Sequence, residues 1–180
     1  AALTKDVLSG MLSLVQSLES ESKKSEKSMT VLDIGCNDGS LLGIFKDLFG
    51  CTTIGVDPTG AILESEGKVD FKFNEYFTDV TASSIRAISP AIDLITFTNV
   101  FAHIEDLPIL LENLSSLIGD STTLVIENHY LGAILNRNQF DTFYHEHPRT
   151  YSLKSFQHVA TSLGLIITNV EFPSRYGGNI

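Results

Sequence analysis

Apolar residues along the chain form short uninterrupted runs, which alternate with segments in which they recur every three or four positions. The short runs predict strands at residues 30–34, 53–57, 69–73, 92–97, 122–127 and 165–170. The helical spacing predicts helices between the strands and an amphipathic helix over residues 4–19. Strands that alternate with helices are typical of a parallel sheet covered on both faces. We therefore expect an α/β fold with a doubly wound, mostly parallel sheet.

Two helices carry recognisable end signals. Asp106 stands before an apolar run of helical period, and Pro108 lies in the first turn of that run. A last helix is predicted to start at Ser152 and to end at Gly164.

Residues 19–28 consist of Ser, Glu and Lys, which cannot bury enough apolar surface to order the segment. Residues 1–29 are thus expected to form an N-terminal helix followed by a flexible charged loop. With 180 residues, the chain is expected to form a single domain over 1–180.

Composition narrows the function classes. The net charge of −10 argues against nucleic-acid binding through a basic surface. No apolar run is long enough to span a membrane and no signal peptide is recognisable, so we expect no membrane contact and a cytoplasmic location. Cys36 and Cys51 make neither a disulfide framework nor a zinc knuckle, and no metal site is predicted.

The most informative motif is the run 31–42, in which a short apolar strand enters a glycine turn and a helix follows at once. Asp57 ends the next predicted strand, 22 residues after Gly35, where a carboxylate can accept hydrogen bonds from two ribose hydroxyls. Gly35, Gly39 and Gly43 are each four residues apart, which is not the spacing of a dinucleotide fingerprint. A purely structural strand-turn-helix remains the alternative interpretation of the turn alone.

The turn resembles the first motif of class I S-adenosylmethionine-dependent methyltransferases, with Asn37 where a middle glycine is common. The resemblance implies a Rossmann-like fold and S-adenosylmethionine as cofactor, whose positive sulfonium suits acidic neighbours such as Asp33 and Asp38. Phe77 is expected either to stack on the adenine ring or to belong to the core. The full set of expected cofactor-binding residues is Asp33, Gly35, Asn37, Gly39, Asp57, Pro58, Phe77 and Asn99.

Polar residues also follow the predicted fourth and fifth strands. Asn99 and His103 come after the fourth, and Glu127 ends the fifth. Ligands of parallel α/β sheets bind beyond the carboxyl ends of the strands, so this placement supports a binding site there.

A second motif lies in the connection after the fifth strand, where residues 140–153 concentrate histidine, glutamate and tyrosine. Together with the stretches at 99–104 and 127–131, it resembles successive motifs of the sugar C-methyltransferases, which methylate a carbon of a nucleotide-linked keto-deoxysugar. The resemblance implies that His147 is the general base. It also implies that Tyr144, Glu146 and His103 are active-site residues beside it.

Proton abstraction next to a ketone agrees with these residue types, because histidine can be basic near neutral pH. Glu146 is expected to orient the His147 imidazole, and Tyr144 or His103 to donate a hydrogen bond to the enolate oxygen. The expected partner is a small-molecule acceptor, with a nucleotide sugar as the implied class.

Several alternatives stay open. His103 can equally be structural, and His145 with His147 can form a metal-binding pair, although no further ligand pattern follows. His129 stands where the family motif usually has proline and receives no role, while His158 is expected at the surface. The alternative functions are oxygen or nitrogen methylation of a small molecule, and a non-catalytic cofactor-binding or assembly module.

Full-length members of the resembling family carry an N-terminal zinc domain and a C-terminal domain, and neither pattern occurs in these 180 residues. The chain is thus expected to be either an excised core domain or a reduced homologue, with residues 172–180 starting a link to a C-terminal part.

Overall fold

The computed structural model describes residues 5–18 and 29–180, so the predicted charged loop at 19–28 lies outside the described residues. The strands are β1 (Thr30–Ile34), β2 (Thr52–Val56), β3 (Phe71–Phe73), β4 (Leu94–Thr98) and β5 (Thr123–Glu127). The α-helices are α1 (Lys5–Ser17), α2 (Ser40–Phe49), α3 (Asp79–Ile88), α4 (Leu107–Ser115), α5 (Leu131–Arg137) and α6 (Leu153–Ser162).

The strands form one sheet in the order β3-β2-β1-β4-β5. β1 lies in the centre and pairs in parallel with β2 and β4, with Leu32 opposite Ile54 on one side and Ile95 on the other. Every residue of β1 is buried, including Asp33. The central strand therefore delivers its following turn to the edge where β2 and β4 also end.

The described residues fall into two compact units. The first lies within Ala1–Thr96 and Leu117–Val125, and the second comprises Phe97–Ser116 and Ile126–Ile180. The prediction of a single domain stays a prediction.

An apolar core holds the first unit together. Its buried members are Val15, Val31, Cys36, Leu41, Leu42, Phe45, Cys51, Ile62, Val69 and Leu94. Burial of this kind stabilises a fold by about 25 cal/mol per Å² of apolar surface removed from water.

An aromatic cluster forms the centre of the second unit. The Phe101 ring lies 5.2 Å from that of Phe97 and 5.5 Å from that of Tyr151, both edge to face. The rings of Tyr151 and Phe156 stack at 4.9 Å. Edge-to-face and offset pairs are the favoured aromatic arrangements. These contacts hold the turn after β4 and the start of α6 in place. Candidate site residues lie close to both segments in the sequence.

Most predicted elements are confirmed, with end points that shift by a few residues. Asp106 caps α4 by accepting a hydrogen bond from the Ile109 amide at 3.1 Å. Ser152 caps α6 in a capping box with Ser155. The third strand starts at Phe71 rather than at residue 69, because the Val69 amide bonds back to the Ser65 carbonyl in a turn.

The predicted strand at 165–170 is wrong, since these residues form no strand in the structure. Ile166 is 84 % exposed, and no strand ladder in the described residues includes this segment. A strand needs a neighbour for its backbone groups, and apolar composition alone does not supply one.

Among the helices of residues 5–18 and 29–180, none has the length and apolar character needed to cross a membrane.

Candidate active site

The glycine turn after β1 needs left-handed backbone at three positions. Gly35, Asn37 and Gly39 have φ values of 79°, 51° and 72°. A Cβ on Gly39 would lie 2.5 Å from a methyl of Val69, so only glycine fits there. The amides of Gly35 and Cys36 donate to the Val56 carbonyl at 2.7 and 3.2 Å, which ties the turn to the end of β2.

Asp57 anchors this turn and is only 6 % exposed. Its Oδ2 accepts a hydrogen bond from the Asn37 amide at 2.8 Å, and its Oδ1 accepts from the Thr59 amide and hydroxyl at 2.8 and 2.5 Å. An ionised carboxylate has about four acceptor positions, so at least one remains for a ligand hydroxyl. The structure thus places Asp57 beside the glycine turn, as the sequence predicted, and its acceptor chemistry fits a ribose.

Asp33 and Asp38, the acidic neighbours expected to suit the positive sulfonium, are both engaged by other groups of the protein. Asp38 pairs with Lys68 Nζ at 3.0 Å and accepts from the Ser40 hydroxyl at 2.9 Å. These bonds outweigh burial and lower the pKa of Asp38. Its charge is therefore already compensated within the protein.

Asp33 is 1 % exposed and accepts a hydrogen bond from the Thr96 hydroxyl at 2.7 Å. Burial raises the pKa of Asp33 to about 7, against the hydrogen bond from Thr96 and with a smaller contribution from the Asp57 charge. The Asp33 carboxyl consequently exchanges its proton close to neutral pH and is a weaker source of negative charge than expected.

The raised pKa of Asp33 makes the stability of the protein depend on pH. A carboxyl whose pKa rises on folding stabilises the native state below its unfolded value and loses that contribution as pH rises through its folded value. Over the window from 3.8 to about 7, the loss amounts to about 4 kcal/mol. Asp33→Asn should remove this loss, so the variant gains stability relative to the wild type between pH 5 and pH 8 in urea unfolding. If the difference in unfolding free energy between Asp33→Asn and the wild type stayed constant from pH 5 to pH 8, the raised pKa of Asp33 would be contradicted.

Pro58 and Phe77 are also among the residues expected to bind the cofactor. Pro58 follows Asp57 and is exposed, while Phe77 follows β3 and is half-buried.

Burial raises the pKa of the two cysteine thiols, Cys36 and Cys51, that of Cys51 to about 11. Neither cysteine is therefore a nucleophile at neutral pH.

All five histidines of the chain belong to the second unit. The rings of two of them, His103 and His129, lie beside the ring of His147. The His147 ring centroid lies 4.7 Å from that of His103 and 5.6 Å from that of His129. The Tyr144 ring lies 4.3 Å away on a third side. We call His103, His129, Tyr144 and His147 the histidine cluster. The structure thus brings together three of the four residues predicted for catalysis.

Backbone carbonyls fix the tautomers of two of these histidines. Nδ1 of His147 lies 3.2 Å from the Thr142 carbonyl, and Nδ1 of His103 lies 2.7 Å from the Glu146 carbonyl. A carbonyl only accepts, so each Nδ1 carries the proton and each neutral ring has its basic lone pair on Nε2. The Tyr144 hydroxyl then donates to Nε2 of His147 at 3.1 Å.

The role expected for the Glu146 side chain is not what the structure shows. Its carboxylate is 62 % exposed and lies 3.9 Å from Nε2 of His145. The Thr142 carbonyl orients His147 instead, because the 144–147 turn brings Nδ1 of His147 to the carbonyl five residues before it. Glu146 contributes its backbone carbonyl to His103.

His129 joins the cluster, although no role was expected for it from the sequence. Burial lowers its pKa, and the neighbouring His147 and His103 lower it further, which favours the neutral ring. His129 lies two residues beyond Glu127, and in an extended segment residues two apart lie on the same side. This spacing is the signal that could have identified His129.

A buried polar network lies at the end of β5, and we call it the Glu127 network. Arg175 binds the Glu127 carboxylate through Nε at 2.6 Å and through a second, shorter contact from its terminal nitrogen. Nδ2 of Asn179 donates to Glu127 Oε1 at 2.7 Å and to Asn99 Oδ1 at 3.1 Å. Sequence reasoning missed Arg175 and Asn179, because nothing local in the sequence pairs them with residues 48 and 80 positions away.

The segment 178–180 reaches this network by pairing with the chain after β5. Asn128 and Ile180 exchange two backbone hydrogen bonds, of 3.0 and 2.9 Å, and the Tyr130 amide donates to the Gly178 carbonyl. Residues 178–180, in the segment expected to start a link, therefore pair with another part of the second unit.

Within the described part of the chain, no three or more His, Cys, Asp or Glu side chains are arranged to hold a metal ion.

Comparison with known families adds a sequence-level relationship. The model of a family described as methyltransferase domain matches residues 10–170. The C-methyltransferase NovU of Streptomyces niveus is 30% identical over 153 residues, which cover 83% of this chain and 36% of NovU. The chain thus spans about a third of the length of this curated relative.

Solved structures show the same fold at low sequence identity. A SAM-dependent methyltransferase from Archaeoglobus fulgidus superposes with a TM-score of 0.64 and 22% identity, over 91% of this chain and 70% of that one. The plantazolicin methyltransferase BpumL, solved in complex with SAH, has a TM-score of 0.63 and 17% identity, over 87% and 64% of the two chains.

Proposed function

The chain belongs to the methyltransferase domain family, and on that premise we propose that it methylates a carbon next to a ketone in a sugar-like small molecule. The sequence-based assignment to Rossmann-like class I methyltransferases that use S-adenosylmethionine is confirmed. The proposal adds the acceptor, for which a nucleotide-linked keto-sugar is the class that the 144–147 motif favours. We also propose a cytoplasmic location, which accords with two free, buried cysteines.

The residues of the first unit fit the cofactor. Asp57 has acceptor capacity left for a ribose hydroxyl, and the turn at Gly35 brings backbone close to it. When bound, S-adenosylmethionine supplies a methyl group made electrophilic by its positive sulfonium. Asn37, held at positive φ by the bond between its amide and Asp57, shapes the loop that receives the ligand.

The observation that carries the proposed chemistry is the fixed tautomer of His147. Its Nδ1 proton is held by the Thr142 carbonyl, so Nε2 is the basic atom and points its lone pair at the Tyr144 hydroxyl. A base of this kind can remove a proton from carbon once the acceptor replaces the hydroxyl as its partner. Methyl transfer to this carbon needs such a base, because the carbon becomes nucleophilic only when it loses a proton. An amine is already nucleophilic.

Two groups of the cluster can stabilise the resulting enolate. The Tyr144 hydroxyl is one donor, and a water that donates one hydrogen to Nε2 of His103 can present its other hydrogen to the enolate oxygen. The ring centroids of His103 and His147 are 4.7 Å apart. These two histidines therefore act on the same small region of the acceptor.

Cofactor binding provides the direct test. Asp57→Asn should weaken S-adenosylhomocysteine by about 100-fold in calorimetric titration, because the amide loses acceptor capacity for the ribose and for the turn amides. Asp93→Asn is the matched control, since Asp93 accepts a bond of 2.7 Å from the Thr30 amide at the opposite end of β1.

We expect the control to bind like the wild type. Absence of binding to the wild type at high micromolar ligand would reject the proposed function. An Asp57→Asn variant within about twofold of the wild type would reject the role of Asp57 alone.

A further inference from the structure

We infer that Thr59 restricts Asp57 to one hydroxyl of the cofactor's ribose, because it fully occupies one of the two carboxylate oxygens. The inference rests on the proposed function, in which Asp57 binds the ribose. The residues that carry it all belong to the first unit. The spacing of the sequence motifs left Asp57 free to accept from two ribose hydroxyls, and the contacts of Thr59 change that expectation.

Three donors of the described residues bind the Asp57 carboxylate, and two of them come from Thr59. Oδ1 accepts from the Thr59 amide at 2.8 Å and from the Thr59 hydroxyl at 2.5 Å. Oδ2 accepts from the Asn37 amide at 2.8 Å. Each oxygen of an ionised carboxylate has about two lone-pair positions. Oδ1 is therefore saturated, and a single position remains on Oδ2.

The direction of the Thr59 hydroxyl is fixed by its second contact. Its oxygen accepts from the Ala61 amide at 3.4 Å, in the first turn of the short 3-10 helix Gly60–Glu64. An amide only donates, so the hydroxyl hydrogen is left for the carboxylate, which only accepts. The Thr59 hydroxyl thus takes the position on Oδ1 that a second ribose hydroxyl needs.

The backbone of residues 57–59 is held in place by Asn74. Nδ2 of Asn74 donates one hydrogen to the Asp57 carbonyl at 2.9 Å and the other to the Thr59 carbonyl at 2.6 Å. The Asp57 amide donates to the Phe73 carbonyl at 3.0 Å. These contacts oppose a movement of Thr59 away from Oδ1. One ribose hydroxyl therefore binds Oδ2, and the other is left to water or to another group.

The test uses three ligands in calorimetric titration: S-adenosylhomocysteine and its 2′-deoxy and 3′-deoxy analogues. In the wild type, the analogue that lacks the hydroxyl bound to Oδ2 should bind about 10- to 100-fold more weakly than S-adenosylhomocysteine, because a hydrogen bond to a charged group is lost. The other analogue should bind within about threefold of S-adenosylhomocysteine. The ratio of the two analogues' dissociation constants is then compared between variants.

Thr59→Val removes the hydroxyl and keeps the backbone amide, and the extended backbone at this position suits a β-branched side chain. A position on Oδ1 becomes free in this variant, so the second ribose hydroxyl can bind there. The two analogues should then be weakened alike, and the ratio of their dissociation constants should fall to within about threefold. Thr59→Ser keeps a hydroxyl and should keep the wild-type ratio.

Thr122→Val is the matched control in the same unit. The Thr122 hydroxyl also has one partner of each kind, since it donates to the Ile92 carbonyl at 2.7 Å and accepts from the Gly119 amide at 2.9 Å. It makes neither contact with Asp57 nor with the glycine turn, so we expect the wild-type ratio in this variant.

The outcomes separate the inference from the proposed function. Wild-type protein that does not bind S-adenosylhomocysteine would overturn both. Full affinity of the wild type for both analogues would reject the ribose role of Asp57, and the inference with it. Equal weakening of both analogues in the wild type, or an unchanged ratio in Thr59→Val, would overturn the role of Thr59 alone. If thermal unfolding shows that Thr59→Val does not fold, the comparison of the two analogues on the wild type decides.

Discussion

Replacing His147 with Asn is expected to lower methyl transfer by about 10²- to 10⁴-fold while S-adenosylhomocysteine affinity stays within about twofold. Asn can keep the hydrogen bond to the Thr142 carbonyl, which His147 Nδ1 makes at 3.2 Å, but it has no basic nitrogen in place of Nε2. The variant thus removes the base and retains the local structure.

Release of S-adenosylhomocysteine with a panel of keto-sugar nucleotides measures this effect. Exchange of solvent deuterium into the carbon next to the ketone, followed without cofactor, measures the proton abstraction separately. His145→Asn is the matched control, since His145 lies two residues away and its side chain is 88 % exposed.

The two readouts also distinguish the alternatives. A His147→Asn variant that keeps full turnover would show that the acceptor is nucleophilic without a base, as an amine can be. Loss of turnover with undiminished deuterium exchange would show that another residue removes the proton. His103 is then the group to test, because its Nε2 also carries the lone pair in the fixed tautomer.

Replacing Arg175 with Met is expected to lower the free energy of unfolding by about 3–5 kcal/mol, because it leaves the Glu127 carboxylate buried without its cationic partner. The Glu127 side chain is 7 % exposed, so water cannot replace the two lost donors. Urea unfolding, followed by circular dichroism, measures the loss.

A second substitution should recover much of that stability. Arg175→Met combined with Glu127→Gln removes the unpaired charge, so we expect the double variant to be more stable than Arg175→Met alone. Arg137→Met is the control, since Arg137 is an exposed donor to the Gly177 carbonyl at 2.6 Å in the same unit. A loss below about 1 kcal/mol for Arg175→Met would show that the pair contributes little.

The placement of the glycine turn and of Asp57 could be predicted because it depends on local structure. The turn after β1 needs positive φ at Gly35 and Gly39, which the sequence displays directly. Asp57 follows β2, the strand that pairs with β1 in the sheet, so the spacing of the two motifs already placed it beside the turn. In contrast, the pairing of Asp38 with Lys68 was not foreseeable, since it depends on how a loop packs 30 residues later.

In the second unit, the contacts that orient the candidate site residues could not be predicted from local sequence. The motif 144–147 predicted His147 and Tyr144 as site residues, but the groups that fix the tautomers of His103 and His147 are backbone carbonyls, which carry no sequence signal. For the same reason the sequence assigned the orienting role to the Glu146 carboxylate rather than to Thr142.

The sequence by itself determined the order of strands and helices, the glycine turn, the carboxylate at position 57 and the presence of histidines after β4 and β5. These follow from periodicity and short-range backbone preference, which act within a few residues. Only the tertiary structure decided that residues 165–170 remain unpaired and that Arg175 and Asn179 meet Glu127. It also decided the proton-binding behaviour of Asp33, whose raised pKa follows from burial. Pairing and burial depend on which distant segments pack together, and no local pattern encodes that choice.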